Sequence, residues 1–205
     1  MSKITNTGIF ITEGAAAGTD VAGNGQIWVK SDTPSSLYHT DDAGNDHRLG
    51  ITLGTESTTT GGSSIDITSI PSGVKKITIL ITGLSANADS NLIVQLGDSG
   101  GVETSGYVST TSRDSGGTAA FTNGFNFEDE GSGAGGETWQ GVMELCLQDS
   151  SANTWSSWSM SGGSSQNFHQ CGTKSLSATL DRVRLTTTGG SATFDVNSGI
   201  NIQYQ

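Results

Sequence analysis

VKKITILITG (residues 74–83) sets Val74, Ile77, Ile79 and Ile81 nearly on one face, and Lys75, Lys76, Thr78, Leu80 and Thr82 mostly on the other. Successive side chains of an extended strand point to opposite faces, whereas a helix repeats its apolar positions every three to four residues. The stretch therefore predicts a half-buried β-strand, and the same reading extends along the chain. TWQGVMELCLQ (138–148) puts Trp139, Gly141, Met143, Leu145 and Leu147 on one parity, toward a core, and turns Glu144 and Cys146 outward. Further strands are expected at GIFIT (8–12), QIWVK (26–30), SLYHT (36–40), DHRLG (46–50), SIDITSI (64–70), NLIVQLG (91–97), SGYVSTT (105–111), AAFTNGFNF (119–127), NTWSSWSMS (153–161), LSATLDRVRLTT (176–187), SATFDVN (191–197) and INIQYQ (200–205). No stretch sustains a helical period, and the Ala-rich EGAAAGTDVAG (13–23) is interrupted by three glycines, so it reads as an extended arm. The expected fold is all-β: an antiparallel, jelly-roll-like β-sandwich with a short N-terminal β-hairpin arm.

Composition agrees with short strands divided by tight turns. Of 205 residues, 30 are glycine and 2 proline, and only 32% are hydrophobic, which predicts a thin core stabilised partly by neighbours. The balance of 9 basic against 20 acidic residues, a net charge of −11, argues against a nucleic-acid partner, whose phosphates require cations. No run of about 18 apolar residues marks a membrane span, and the N-terminus lacks the apolar core of a signal peptide. Cys146 and Cys171 fit no metal-binding spacing and are expected as free thiols. No bulky residue lies between Leu53 and Ile65, so the chain is divided into an N-terminal docking arm (1–50), a linker (51–62) and a sandwich domain (63–205).

Several motifs suggest chemistry that their context withdraws. GDSGG (97–101) surrounds the nucleophile of chymotrypsin-like proteases, but barely a hundred residues precede Ser99 and leave no room for a first barrel. The hydrolase elbow needs a helix after the serine, and here strand and turn follow. GSGAGG (131–136) follows FEDE, whose charges repel phosphate, and reads as a loop. HTDDAGNDH (39–47) clusters histidines and aspartates, yet its spacing matches no calcium or zinc motif and suits a hairpin turn. No catalytic residue, metal or cofactor is expected. In NTWSSWSMS, Trp158 shares parity with Met160 and is assigned to the core, whereas Trp155 goes with Ser157 and Ser159 and is expected outside as a ligand platform.

GQIWVKSDTPSSLYHTDDAGNDHRLG (25–50) resembles an N-terminal module of structural proteins in tailed bacteriophages. IDITSIPSGVKKITILITGLS (65–85) with LIVQLGDSGGVETSGYVST (92–110) is similar to the β-sandwich of distal tail-fibre and tailspike domains and of trimeric head decoration, or cement, proteins. Together these runs cover about a third of the chain. The resemblance implies a homotrimer made in the host cytoplasm and placed on the outer head surface of a virion. There its arm would grip the major capsid protein through Trp28, Leu37 and Tyr38. The alternative it leaves is a short tail fibre recognising host-surface glycans, with Trp155 and the acidic run Glu128, Asp129 and Glu130 as the expected contacts.

Overall fold

The computed structural model describes residues 11–19, 21, 23–31, 35–88, 90–129, 138–163, 166–195 and 199–205. Among these there is no helix, and the chain divides into two compact units, Met1–Ile51 with Gln205, and Thr52–Tyr204. The GSGAGG run and most of GIFIT lie outside the described residues.

The first unit is a four-stranded sheet in the order β1 (Glu13–Gly14), β2 (Gln26–Lys30), β3 (Ser36–Thr40) and β4 (Asp46–Arg48), with β1 parallel to β2 and the other pairs antiparallel. The β3–β4 turn is built around Asp41. Its carboxylate accepts the amides of Ala43 (3.0 Å) and Asn45 (2.8 Å), the Asn45 side-chain amide and the His47 ring at 3.1 Å. These bonds, the Asn45 amide foremost, hold the carboxyl far below the usual aspartate range. Thus the His/Asp cluster is a turn whose principal carboxylate is already occupied.

The second unit is an antiparallel β-sandwich. Its strands are β5 (Thr52–Leu53), β6 (Ser57–Thr58), β7 (Ser64–Ile67), β8 (Lys76–Leu84), β9 (Leu92–Asp98), β10 (Gly101–Val102), β11 (Val108–Arg113), β12 (Thr118–Phe121), β13 (Phe125–Asn126), β14 (Trp139–Asp149), β15 (Thr154–Gly162), β16 (Asn167–Ser175), β17 (Leu180–Thr187) and β18 (Gly199–Tyr204). The larger sheet runs β12-β11-β16-β15-β14-β8-β18-β5, with β6 also on β18, and the smaller runs β10-β9-β17-β7, with β13 also on β9. Residues 51–62 are therefore not a free linker, because two short pieces pair with β18. Main-chain hydrogen bonding to a sheet strand needs no bulky side chain, so this pairing leaves no apolar trace. Among its described residues, SATFDVN contributes only an isolated bridge at Phe194.

The core lies where the alternation of β8 and β14 places it. Ile77, Ile79, Ile81, Trp139, Met143 and Leu145 pack with Leu92, Val94 and Leu96 of β9 and with Val183 and Leu185 of β17, all buried. Burying each such side chain contributes roughly 1.5–3 kcal/mol. Trp139 meets Phe168 edge-on at 5.2 Å, and Tyr107 meets Phe125 at 5.1 Å. Near β15 and β16 the interior turns polar: Ser157, Ser159, Ser161, Gln170, Ser109 and Thr111 are buried. Gln170 donates to Ser157 Oγ at 2.7 Å, and Ser161 Oγ donates to the Phe127 carbonyl at 2.5 Å.

A partly buried ion pair fastens β16 to the β10–β11 connection. The Lys174 ammonium, 6% exposed, contacts Glu103 and lies 5.3 Å from the Tyr107 ring centroid, while the Ser177 amide donates to Glu103 at 2.7 Å. Burial pushes the Glu103 carboxyl up, but the hydrogen bonds from Lys174 and Ser177 outweigh it and leave it below the usual range. A carboxyl lowered by folding stabilises the native state above its unfolded pKa and loses that contribution as pH falls through its folded one.

Three outcomes are expected in denaturant titrations. Glu103→Ala strands a buried ammonium and costs about 3 kcal/mol, whereas the double variant Glu103→Leu with Lys174→Met recovers most of the loss; the wild type weakens below about pH 4 more steeply than the double variant. Gly141 has φ +156°, and a Cβ there would stand 2.3 Å from the Met160 carbonyl oxygen and 2.7 Å from Ser161 Cα. Gly141→Ala forces β14 from β15 and lowers stability by about 3 kcal/mol.

Candidate docking surfaces

The four-stranded sheet of the first unit has two unlike faces. Trp28, Tyr38 and Arg48 align across β2, β3 and β4, and Ile27, His39 and His47 align on the opposite face, beside the Val29–Leu37 pair. The Trp28 face is closed by its own contacts. Trp28, 8% exposed, stacks on Tyr38 at 5.0 Å, and its indole N–H donates to Thr40 Oγ1 at 2.9 Å. Thr40 passes the chain on to Asp46 at 2.5 Å. The opposite face is open: Ile27 is 62% exposed, Leu37 40% and Leu49 47%. The three expected docking residues therefore divide. Leu37 lies on the open apolar face with Ile27, which sequence reasoning missed, while Trp28 and Tyr38 brace the sheet from behind. The pairing of Ile27 with His39 hid the signal, since only every second residue of each strand faces this way.

A second surface is the outer face of the larger sheet, and here the parity of β15 is the reverse of the one expected. Trp155 is 2% exposed and points inward with Ser157, Ser159 and Ser161, whereas Trp158 is 49% and Met160 55% exposed. The serines are tolerated inside because hydrogen bonds satisfy Ser157 and Ser161, and the large Trp155 ring fixes which parity enters the core. Trp155 is thus no surface platform. Nor are Glu128 and Asp129 open to a glycan. Glu128 is fully buried and accepts the Leu92 amide at 2.8 Å at the start of β9, and Asp129 lies 3.4 Å from Arg113 Nε with its side chain 1% exposed. Glu130 falls outside the described residues.

On this outer face, Glu144 and Trp158 stand directly opposite each other on β14 and β15, and Cys171 of β16 stands opposite Trp158. Glu144 accepts the Trp158 indole N–H at 3.1 Å and Lys76 Nζ at 2.8 Å. In the adjoining row Leu80, Val142, Met160 and His169 are neighbours across β8, β14, β15 and β16. His169 Nε2 lies 3.2 Å from Asp114 Oδ1, and Asn167 donates to the other oxygen of that carboxylate at 3.0 Å. The indole is held by one edge, so an exposed aromatic ring is presented in a fixed attitude beside a thioether. Both thiols, Cys146 and Cys171, are free and exposed on this face.

GDSGG forms the β9–β10 hairpin, with Ser99 and Gly100 as its two-residue exposed tip and Asp98 opposite Gly101. Gly97 is required because a Cβ would sit 2.4 Å from the Gly101 carbonyl oxygen. Asp98 accepts the Gly100 amide at 2.8 Å and the Ser177 hydroxyl at 2.6 Å, which hold its carboxyl below the usual range, Ser177 most strongly. The motif's residue types are those of a stapled turn. His169, on the larger sheet, is engaged with Asp114. A cleft of about 300 Å³ opens between Ser57, Asp66, Ser69, Ile202 and Tyr204. There Asp66 is gripped by both Nε (2.6 Å) and Nη2 (2.7 Å) of Arg184.

Comparison with protein-family models, with curated proteins and with solved structures finds no match for this chain.

Trp28, Trp139 and Trp155 are buried, so Trp158 carries the fluorescence that external quenchers reach. Iodide quenching of the folded protein is expected to be nearly abolished by Trp158→Phe and retained in Trp155→Phe; the opposite result would reverse the orientation of β15.

Proposed function

We propose that this chain is a capsid decoration protein of the tailed-phage kind: the first unit docks on the outer head surface, and the sandwich is displayed from it as a homotrimer that reinforces the shell. The observation that supports this reading is the open apolar face of the N-terminal sheet, Ile27, Leu37 and Leu49, on a sheet whose other face is closed by Trp28, Tyr38 and Thr40. A small sheet of this kind gains by burying that face, each side chain contributing roughly 1.5–3 kcal/mol when fully covered. Three arms carried on one trimer would multiply a modest contact through effective concentration. The resemblance of residues 25–50 to phage docking modules points the same way, and the reading asks for no bond-making chemistry. The net charge of −11 suits a protein that stays clear of DNA.

A second reading, a short tail fibre that binds host glycans, is favoured by the exposed Trp158 ring, held by Glu144 in a posture on which a sugar ring could stack.

The deciding measurement is a count of copies bound to phage heads that lack the protein, after sedimentation. Saturable binding at a fixed number per head is expected, with the paired substitutions Ile27→Asp and Leu37→Asp raising the Kd at least tenfold, about 1.4 kcal/mol. The sandwich should remain folded by circular dichroism. Retention by host cells with no binding to heads would move the protein to the tail.

A further inference from the structure

The outer face of the larger sheet brings together donors that share one chemical preference. Met160 on β15 stands directly opposite His169 on β16, and Cys171 follows His169 by two residues on the same face. Directly opposed side chains have Cβ atoms about 5 Å apart, and diagonal ones about 7–8 Å. The His169–Cys171 separation along the strand is about 7 Å. A long, unbranched thioether, an imidazole and a thiol at those spacings can close on a single ion. All three are solvent-accessible, with Met160 55% exposed, the His169 side chain 50% exposed and Cys171 a free thiol.

The imidazole is also oriented. Its Nε2 is directed at Asp114 Oδ1 at 3.2 Å, and Asn167 fixes that carboxylate from its other oxygen. A carboxylate at Nε2 places the proton there and leaves Nδ1 with its lone pair, the arrangement by which an outer carboxylate prepares a histidine ligand. Beside the group lies Trp158, opposite Cys171, whose ring face suits a neighbouring cation. Thioether and thiolate are soft donors that favour monovalent copper over hard or borderline cations.

We propose that Met160, His169 and Cys171 form a binding site for a soft monovalent metal ion, Cu(I) or Ag(I), with Asp114 as the positioning carboxylate. Binding replaces the Cys171 thiol proton, which leaves to solvent, and involves no change of oxidation state.

The test uses the full chain with Cys146→Ser, which removes the other exposed thiol. Cu(I) is supplied anaerobically as its acetonitrile complex in competition with a chromophoric bicinchoninate chelator, and Trp158 emission is followed in parallel. One Cu(I) per chain is expected, with quenching of the exposed tryptophan. Cys171→Ser abolishes binding, while Met160→Leu and His169→Gln each weaken it at least tenfold, and Asp114→Asn about tenfold. Circular dichroism confirms that each surface variant is folded. The proposal is overturned if Met160→Leu and His169→Gln bind as tightly as the parent, which would leave only a lone thiolate. It is equally overturned if Zn(II) displaces the bound Cu(I), or if the parent binds none.

Discussion

The whole second unit depends on one packed seam, where the inward rows of β8 and β14 meet those of β9 and β17. Ile77, Ile79 and Ile81 come from a nine-residue strand and Met143 and Leu145 from an eleven-residue one, and they face Leu92, Val94 and Leu96 across the sandwich. These strands supply most of the buried aliphatic side chains of a chain that is only 32% hydrophobic. The consequence is a lopsided interior. It is apolar and close-packed over β8, β14, β9 and β17, and progressively hydrogen-bonded toward β15, β16 and β11. Where apolar area runs short, Gln170, the serines and the Lys174–Glu103 pair replace it with directional contacts, which fix register more sharply than hydrophobic burial does.

That gradient explains how much of the fold could be read from residues alone. The long strands of the apolar half were legible almost to the residue, because KITILI and MELCLQ alternate between buried and more open sides. The stretch NFHQCGTKS, which forms β16, drew no expectation at all. Its inward positions are Phe168, Gln170, Gly172 and Lys174, so alternation exists in space without existing in hydropathy. The same polarity inverted β15, since hydropathy alone places Trp158 and Met160 inside and three serines outside. Only the demand of Trp155 for a cavity, combined with hydrogen-bond partners contributed by β11, β16 and the Phe127 carbonyl, reverses that choice. The partners come from distant sequence and cannot be inferred locally.

The exposure of the candidate surface residues was only partly legible. Leu37 is exposed beside Ile27 and Leu49, while the more conspicuous aromatics Trp28 and Tyr38 stack on each other behind the sheet. Large rings draw attention in a sequence, but in a four-stranded sheet they are the residues able to close one face. Acidic clusters misled in the same direction. Asp41, Asp98 and Glu128 are each consumed by backbone amides at a turn or strand start, so a carboxylate count overstates the charge available to a ligand.

The position of β8 carries a kinetic consequence. Its two hydrogen-bonded edges are taken by β14 and β18, both far along the chain, so neither neighbour exists while β8 itself emerges during synthesis. Long-range pairings of this type are slow to form because loop closure precedes their reward. Until then an isoleucine-rich strand stands with both edges bare, the condition that invites association with other chains. The preponderance of acidic residues spread along the chain then acts before the fold exists, keeping incomplete chains apart until β14 and β18 seal the sheet.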